Sequence, residues 1–200
     1  PVLAKVRHTL AQRISKFPAM LLAKAGISPN ALTVFGFTMT LGVAWVLSTG
    51  HFFLGGFLVL LSGSLDFLDG ALARATGRST KFGAFLDSTL DRFSDAALFL
   101  GLLAYYASQG SHYLEIVLIG AALTGSLVTS YTRARAEGLG LKDEVGVFTR
   151  TERIILLAIG LIIGHWHSDA MTVVLWIIAV LSNLTALQRI YHVWRQTGGK

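Results

Sequence analysis

Two pairs of aspartates in apolar sequence are the residues of this chain whose types and spacing best suit chemistry. Asp66 and Asp69 are three residues apart, and Asp87 and Asp91 are four apart. On a helix, each spacing puts both carboxylates on one face. Because residues 75–82 form only a short connection between the pairs, we expect two antiparallel neighbouring helices on which the four carboxylates converge. Convergent oxygen ligands are typical of a site for hard divalent cations.

Burial of these carboxylates in a membrane requires a neutralising partner. An unpaired aspartate at the centre of a membrane helix costs roughly 2.5–3.5 kcal/mol, so four would cost about 10 kcal/mol. Two Mg²⁺ ions, or Mn²⁺ in their place, bring four positive charges, and a two-metal site commonly clamps the attacking and leaving oxygens of a phosphoryl transfer. The alternative is a buried ion-pair cluster with the nearby basic residues, which are Arg74, Arg78, Lys81 and Arg92.

The composition indicates an integral membrane protein. Hydrophobic residues make up 53% of the 200 residues, charged residues make up 14%, and the mean hydropathy is +0.61. These values are too apolar for a soluble domain of this size. The net charge of +6 does not indicate nucleic acid, because the aromatic residues lie in apolar runs rather than among the basic residues. Anionic membrane lipids and phosphorylated substrates fit the charge better. Cysteine is absent, which excludes disulfides and thiolate metal sites.

Hydrophobic periodicity predicts an all-α fold with six transmembrane helices and an N-terminal amphipathic helix. From residue 2 to residue 24, apolar residues recur at helical spacing with basic residues between them, a pattern typical of a helix in the membrane interface. Residues 1–25 are therefore assigned to a juxtamembrane helix and residues 26–200 to a transmembrane catalytic domain. The expected spans are residues 31–49, 52–74, 83–107, 113–136, 147–166 and 170–193. The fifth has the shortest uninterrupted apolar core.

The distribution of basic residues predicts the orientation in the cell membrane. All 17 lysines and arginines lie before the first span, around the second-to-third and fourth-to-fifth connections, or at the end of the sixth span. The other three connections contain none. Since basic residues favour the cytoplasmic side, both termini and the aspartate site of this multi-pass protein are expected there.

The spacing D-x2-D-G-x2-A-R-x8-G-x3-D-x3-D is complete in residues 66–91. It resembles the signature of the CDP-alcohol phosphotransferase family, whose members make phospholipids within membranes. The resemblance implies that Asp66, Asp69 and Asp87 bind two metal ions, and that Asp91 joins this set and also serves as general base for the acceptor hydroxyl. Asp95, one turn further along, is expected to support the set, unless it pairs with an adjacent arginine or a neighbouring helix.

The resemblance also implies a site for a CDP-linked lipid. The cytidine is expected near residues 30–33. Gly70 and Gly83 leave room for the substrate. The guanidinium of Arg74 and the side chain of Thr80 are expected to contact the diphosphate. The expected donor-binding residues are Asn30, Ala31, Leu32, Thr33, Gly70, Arg74 and Thr80. An alternative role for Asn30 and Thr33 is to cap and form the first turn of a helix, and the two roles are compatible.

A second basic group resembles the phosphatidylinositol-phosphate synthase branch of the family. In that branch, the first residue of a KARAE-type motif and two later arginines hold the phosphate of the acceptor, which implies the same role for Arg133, Arg153 and Arg189. This chain has arginine at the first position, where the branch commonly has lysine. Ordinary anchoring of membrane helices by positive charge is the alternative for each arginine.

The resemblance implies transfer of the phosphatidyl group of CDP-diacylglycerol, or of an ether-lipid analogue, to inositol 1-phosphate with release of CMP. Glycerol 3-phosphate, as in phosphatidylglycerophosphate synthases, is the second acceptor, and an archaetidylinositol-phosphate synthase is the ether-lipid alternative. The family also implies a homodimer. Two other classes are an ion-coupled transporter and a structural lipid-binding protein. The transporter class is disfavoured because the acids cluster near one membrane face and the sequence shows no internal repeat.

Overall fold

The computed structural model describes residue 18 and residues 20–141, 145–167 and 169–198, and the regular structure in these ranges is helical. Most of the amphipathic helix expected over residues 2–24 lies outside the described residues, although residues 20–24 are helical. Six longer helices follow, which are α1 (Pro29–Ser48), α2 (Phe52–Thr76), α3 (Lys81–Ser108), α4 (Tyr113–Gly138), α5 (Arg150–Ile163) and α6 (Asp169–Gln196). They agree with the six expected segments to within a few residues at each end.

Local sequence explains where the helices begin and end. The hydroxyl of Ser28 accepts a hydrogen bond from the N–H of Ala31 at 3.2 Å, so Ser28 caps α1, and Pro29 fills the first helical position, where no N–H is needed. Gly77 has a φ of +64° just after α2, a backbone conformation that favours glycine. The turn between the two aspartate-bearing helices is therefore short and defined.

Four of the helices are long and apolar enough to cross a membrane, namely α1, α2, α4 and α6. The first half of α3 carries several charged residues, and α5 has only 14 residues. Large apolar side chains such as Trp45, Phe85 and Trp166 are 64–70% exposed, which suits contact with lipid rather than water. These features are those of a membrane protein.

The chain forms two compact units. The first contains the described residues up to Gly42 together with Leu61–Ser94, and its buried apolar residues are Leu32, Ala71 and Leu72. It includes the end of α2 and the start of α3, and therefore all four motif aspartates.

The second unit contains Val43–Leu60 and the chain from Asp95 onward. Its core is a larger apolar cluster contributed by α4, α5 and α6 and by parts of the earlier helices. Gly160 of α5 lies directly against Val174 of α6, so that a methyl group at residue 160 would lie 2.8 Å from Val174 Cγ1. The absence of a side chain at this position lets the two helices pack closely.

Candidate functional site

A polar cavity in the first unit is formed by the start of α1, the end of α2 and the start of α3. Its volume is about 170 Å³. Its lining residues are Pro29, Asn30, Thr33, Asp69, Gly70, Ala73, Arg74, Arg78, Ser79, Thr80, Gly83, Ala84 and Asp87. The two helices that carry the aspartate pairs therefore contribute to one site, as the sequence predicts.

Helix starts shape two walls of this cavity. Thr80 precedes α3, and its hydroxyl oxygen accepts a hydrogen bond from the N–H of Gly83 at 2.9 Å. Thr80 is thus the N-cap of α3, and the N-terminus of a helix favours anions. A Cβ atom at residue 83 would lie 2.9 Å from Oδ1 of Asn30, so glycine permits the close approach of α1 to this turn. Asn30 itself lies two residues after the cap of α1, and the cap is Ser28.

Asp69 is the most deeply placed acid of the cavity and is only 5% exposed. The hydroxyl of Thr33 lies 2.7 Å from its Oδ2 and 3.1 Å from the carbonyl oxygen of Pro29. Because a hydroxyl has one proton, the shorter contact is the hydrogen bond to the carboxylate. Thr33 therefore orients one carboxylate oxygen of Asp69, a role additional to its expected place near the donor.

Asp87 shares the cavity with Asp69, whereas Asp66 and Asp91 are not part of its lining. Asp66 lies against α1, where a Cβ atom at Gly36 would be 3.5 Å from its Oδ1. Within the described ranges, no three histidine or acidic side chains are grouped closely enough to hold a metal ion. The donor set still fits a divalent cation in its chemistry, because carboxylate oxygens from two helices meet in one polar cavity. The four-aspartate metal site stays a prediction.

The expected donor-binding residues divide between this cavity and an apolar groove in the same unit. Asn30, Thr33, Gly70, Arg74 and Thr80 line the cavity. The groove, with a volume of about 570 Å³, is lined by Pro18, Leu21, Leu22, Ile27, Ala31, Leu32, Phe35, Leu65 and Leu68. The expected donor-binding residues thus contribute to a polar cavity and to an apolar groove. A lipid linked to a nucleotide has one polar and one apolar part and needs both kinds of surface.

Arg78 and Ser79 also line the cavity, although sequence reasoning did not assign them to donor binding. The sequence suggests for Arg78 only the alternative role of an ion-pair partner of the aspartates. The signal available in the sequence was their position, since both lie in the short turn immediately before the N-terminus of α3.

The predicted acceptor arginines lie in the second unit. Thr149 and Glu152 form a capping box at the start of α5, in which the N–H of Thr149 donates to Oε2 of Glu152 at 2.9 Å. This start fixes Arg150 as the first helical residue and Arg153 one turn later. The side chain of Arg153 is 2% exposed, and its Nη2 lies 2.5 Å from Oδ2 of Asp95.

Asp95 pairs with neighbouring helices and not with Arg92. Its Oδ1 accepts from Nε of Arg150 at 3.1 Å, and its Oδ2 accepts from the hydroxyl of Ser126 at 3.0 Å as well as from Arg153. The guanidinium of Arg92 instead donates to the carbonyl of Ser88. For Asp95 the structure thus shows the alternative that the sequence left open, a pair with neighbouring helices.

Arg189 of α6 is also buried, and it contacts α4 three residues after Ser126. Its Nη1 donates to the carbonyl of Thr129 at 2.8 Å, and its Nε donates to the carbonyl of Val145 at 3.0 Å. Residues 126, 129 and 133 are spaced along one face of α4. Two predicted acceptor arginines are thus held beside successive positions of one helical face.

Arg133 is placed differently from the other two arginines. It continues the same face of α4, but its side chain is about half exposed. Its Nε pairs with Oε1 of Glu137 at 2.9 Å, one turn along the same helix. The described structure therefore holds Arg133 in a surface ion pair, and its contribution to an acceptor site stays a prediction.

Comparisons with known proteins give one consistent result. A family model described as CDP-alcohol phosphatidyltransferase matches residues 26–184. The phosphatidylinositol phosphate synthase of Mycobacteroides abscessus is 39% identical over 196 residues, covering 96% of this chain and 88% of that protein. The archaetidylinositol phosphate synthase of Pyrococcus horikoshii is 37% identical over 192 residues, with 96% of both chains covered.

Solved structures of phosphatidylinositol phosphate synthase from Mycobacterium tuberculosis are also similar. The crystal structure with CDP-DAG bound has a TM-score of 0.84 at 36% identity and covers 91% of this chain and 94% of that one. The complex with manganese and citrate has a TM-score of 0.85 at 35% identity, with 90% and 88% covered. The likeness extends over nearly the whole length of both chains.

Proposed function

Because the chain belongs to the CDP-alcohol phosphatidyltransferase family, we propose that it transfers the phosphatidyl group of CDP-diacylglycerol to a hydroxyl of inositol 1-phosphate and releases CMP. The observation that carries this proposal is the polar cavity, which joins Asp69 and Asp87 with Arg74 and the capped start of α3. Acidic groups for a cation and basic groups for a diphosphate are the two chemistries that such a transfer needs.

The residues around the cavity account for donor binding. Arg74 offers guanidinium N–H groups to diphosphate oxygens, and the N-terminus of α3 behind Thr80 adds main-chain N–H groups. Asn30 contributes an amide to the lining of the same cavity. The apolar groove that includes Ala31 and Leu32 suits an acyl chain of the donor.

The aspartates hold the cation and move the proton. Asp66, Asp69, Asp87 and Asp91 would bind two Mg²⁺ or Mn²⁺ ions, which neutralise the diphosphate and polarise the acceptor hydroxyl when bound. Asp91 accepts the proton of that hydroxyl. The hydroxyl oxygen then forms a bond to the lipid-side phosphorus while the bond from this phosphorus to the CMP oxygen breaks, and CMP leaves.

The acceptor's phosphate is assigned to Arg153 and Arg189, with Arg133 at the edge of the same α4 face. Three arginines suit an acceptor that carries a phosphate better than a neutral polyol. The bacterial and archaeal relatives are both named for inositol phosphate and differ in their lipid. The alternative donor is therefore an ether lipid linked to CDP, and the alternative acceptor is glycerol 3-phosphate.

We further propose that six helices cross the cell membrane, that the cavity opens on the cytoplasmic side and that the protein acts as a homodimer. The absence of basic residues from three of the connections supports the orientation. The homodimer is carried over from the family resemblance.

The test supplies the purified protein with CDP-diacylglycerol, Mg²⁺ and a panel of acceptors, and measures free CMP. We expect release with inositol 1-phosphate, little release with inositol, and loss of release when EDTA removes the metal, with recovery on addition of Mg²⁺ or Mn²⁺. Release of CMP with glycerol 3-phosphate alone would reassign the acceptor. No release with any acceptor would refute the transferase activity.

Replacement of Asp91 by asparagine tests the assignment of the base. We expect Asp91→Asn to reduce CMP release by at least about 100-fold, the lower end of the contribution of general base catalysis, while the protein keeps its stabilisation by CDP-diacylglycerol in a thermal-shift measurement. Asp169→Asn, at the exposed start of α6, is the matched control and should keep full activity. Normal turnover of Asp91→Asn would remove Asp91 from the role of base.

A further inference from the structure

We propose that Asp95 is the positioning residue of the acceptor site, and that it holds the guanidinium of Arg153 so that the remaining N–H groups of this arginine receive the phosphate of the polyol. This inference rests on the proposed function, since it names the residue that organises the phosphate-binding arginines.

The first support is the set of contacts around Asp95, a carboxylate that is only 3% exposed. Both of its oxygens are used, one by Arg150 at 3.1 Å and the other by Arg153 at 2.5 Å and Ser126 at 3.0 Å. The three partners come from α5 and α4, so their side chains are joined through one anchored acid. A guanidinium held by a charge-assisted hydrogen bond in a buried position has little freedom to turn.

The second support is the unused part of Arg153. Its Nε and Nη1 are buried and have no hydrogen-bond partner among the residues that the structure describes. These two nitrogens carry three N–H groups, and a buried donor left unsatisfied costs about 1–3 kcal/mol. An anion with several oxygens that enters this position removes that penalty. The unsatisfied N–H groups of Arg153 therefore support a ligand at this position rather than an ion pair with a structural role alone.

The third support is charge. Two guanidinium groups, those of Arg150 and Arg153, lie within 3.1 Å of the carboxylate of Asp95. A phosphate monoester carries a charge of about −1.5 to −2 at neutral pH and three acceptor oxygens. The arrangement thus matches the phosphate of the acceptor in sign, and Asp95 sets the position without itself touching the substrate.

The experiment measures binding of inositol 1-phosphate to the full chain by calorimetry, which does not depend on turnover, and then the KM for each substrate. Asp95→Asn keeps the shape of the side chain but removes its charge. We expect inositol 1-phosphate to bind about tenfold more weakly, with the KM for this acceptor raised in parallel and the KM for CDP-diacylglycerol unchanged. Asp95→Glu, which restores the charge, should recover part of the loss.

Glu115→Gln is the matched control, because Glu115 is another acid bonded to a neighbouring helix, through the hydroxyl of Thr172 at 2.8 Å. It should leave acceptor binding unchanged. If Asp95→Asn does not fold, Ser126→Ala removes a single hydrogen bond to the same carboxylate and is expected to weaken acceptor binding about threefold.

The outcomes separate this inference from the proposed function. Absence of CMP release by the wild-type protein refutes the transferase activity, whatever the calorimetry shows. Wild-type acceptor binding that is equally strong in Asp95→Asn or Ser126→Ala overturns the role of Asp95, and so does a wild-type protein that does not bind inositol 1-phosphate. Equal losses in both KM values, or a lower melting temperature alone, would assign Asp95 a structural role and overturn the proposal as well.

Discussion

Single hydroxyl groups orient the acids of this protein. In the first unit the hydroxyl of Thr33 fixes one oxygen of Asp69, and in the second the hydroxyl of Ser126 does the same for Asp95. Both acids are nearly inaccessible to solvent, where a hydrogen bond is stronger than in water and an unsatisfied carboxylate is costly. Each hydroxyl group therefore helps to hold its carboxylate in one orientation toward a cation or a cationic side chain.

Thr33→Val tests this at Asp69. The substitution removes the 2.7 Å hydrogen bond while keeping the branched shape of the side chain, so the carboxylate loses its fixed orientation. We expect the Mg²⁺ concentration for half-maximal CMP release to rise about tenfold, the effect of losing one hydrogen bond to a charged group. Thr38→Val is the control, because Thr38 bonds only its own helix, at the carbonyl of Val34. Equal effects of the two variants would contradict the role of Thr33.

Gly83→Ala tests the close approach of α1 and α3 at the cavity. The added methyl group would lie 2.9 Å from Oδ1 of Asn30 and 3.0 Å from the hydroxyl of Thr80, so both side chains must move. We expect the KM for CDP-diacylglycerol to rise about tenfold, since a methyl group forced into a packed position costs about 1–3 kcal/mol. Gly42→Ala in α1 meets no atom within 4 Å and should leave this KM unchanged.

At the scale of elements, helix starts and helix contacts place the functional side chains. The capped start of α3 puts main-chain N–H groups at the cavity, and the capping box of α5 sets the register of its two arginines. The contact of Gly160 with Val174 then holds α5 against α6. The position of Arg153 thus depends on the contact of Gly160 with Val174, which lies two turns further along the helix.

Gly160→Ala is expected to loosen this contact. A Cβ atom at residue 160 would lie 2.8–2.9 Å from three side-chain atoms of Val174, and overpacking of this kind costs about 1–3 kcal/mol. We expect a lower melting temperature in detergent, recovered in the double variant Gly160→Ala/Val174→Ala. Gly120→Ala in α4, where no atom lies within 4 Å, is the control. A failure of the double variant to recover stability would show that Val174 is not the obstacle.

Sequence patterns predicted the helices and much of the cavity, because both depend on local spacing. Asp69 and Asp87 line one cavity, which agrees with their positions near a short turn, whereas Asp66 and Asp91 are not part of its lining and the four-aspartate set stays a prediction. Residues three apart differ by about 60° around a helix, so spacing alone does not fix convergence. The partners of Asp95 could not be predicted, because they lie 31, 55 and 58 residues away and depend on tertiary packing.

At the scale of the whole molecule, the apolar surface is that of a membrane protein, and the distribution of basic residues predicts its orientation. Four helices are long and apolar enough to span a bilayer, and large aromatic side chains such as Trp45 are exposed. Of the six helices described, the remaining two carry part of the proposed sites: α3 carries Asp87, Asp91 and Asp95, and α5 carries Arg153. Charge and length explain why hydropathy alone does not identify these two helices as spans.

Labelling of single cysteines tests the orientation, and it is simple because the chain has no cysteine of its own. Ser79 lies in the connection between α2 and α3, and Ser111 lies in the connection between α3 and α4. In intact cells a membrane-impermeant maleimide should label Ser111→Cys but reach Ser79→Cys only after permeabilisation. The reverse pattern would place the aspartate cavity on the outer side.

The short length of α5 has a consequence for the lipids around it. Its 14 residues rise about 21 Å, whereas the hydrocarbon layer of a typical bilayer is about 30 Å thick. If α5 crosses the membrane as proposed, the lipids beside it compress to match its length, which brings the head-group region deeper into the membrane. Arg150 and Arg153 lie in the first turn of this helix. The distance from the aqueous phase to these arginines would therefore be shorter for a water-soluble sugar phosphate than it would be in a bilayer of normal thickness.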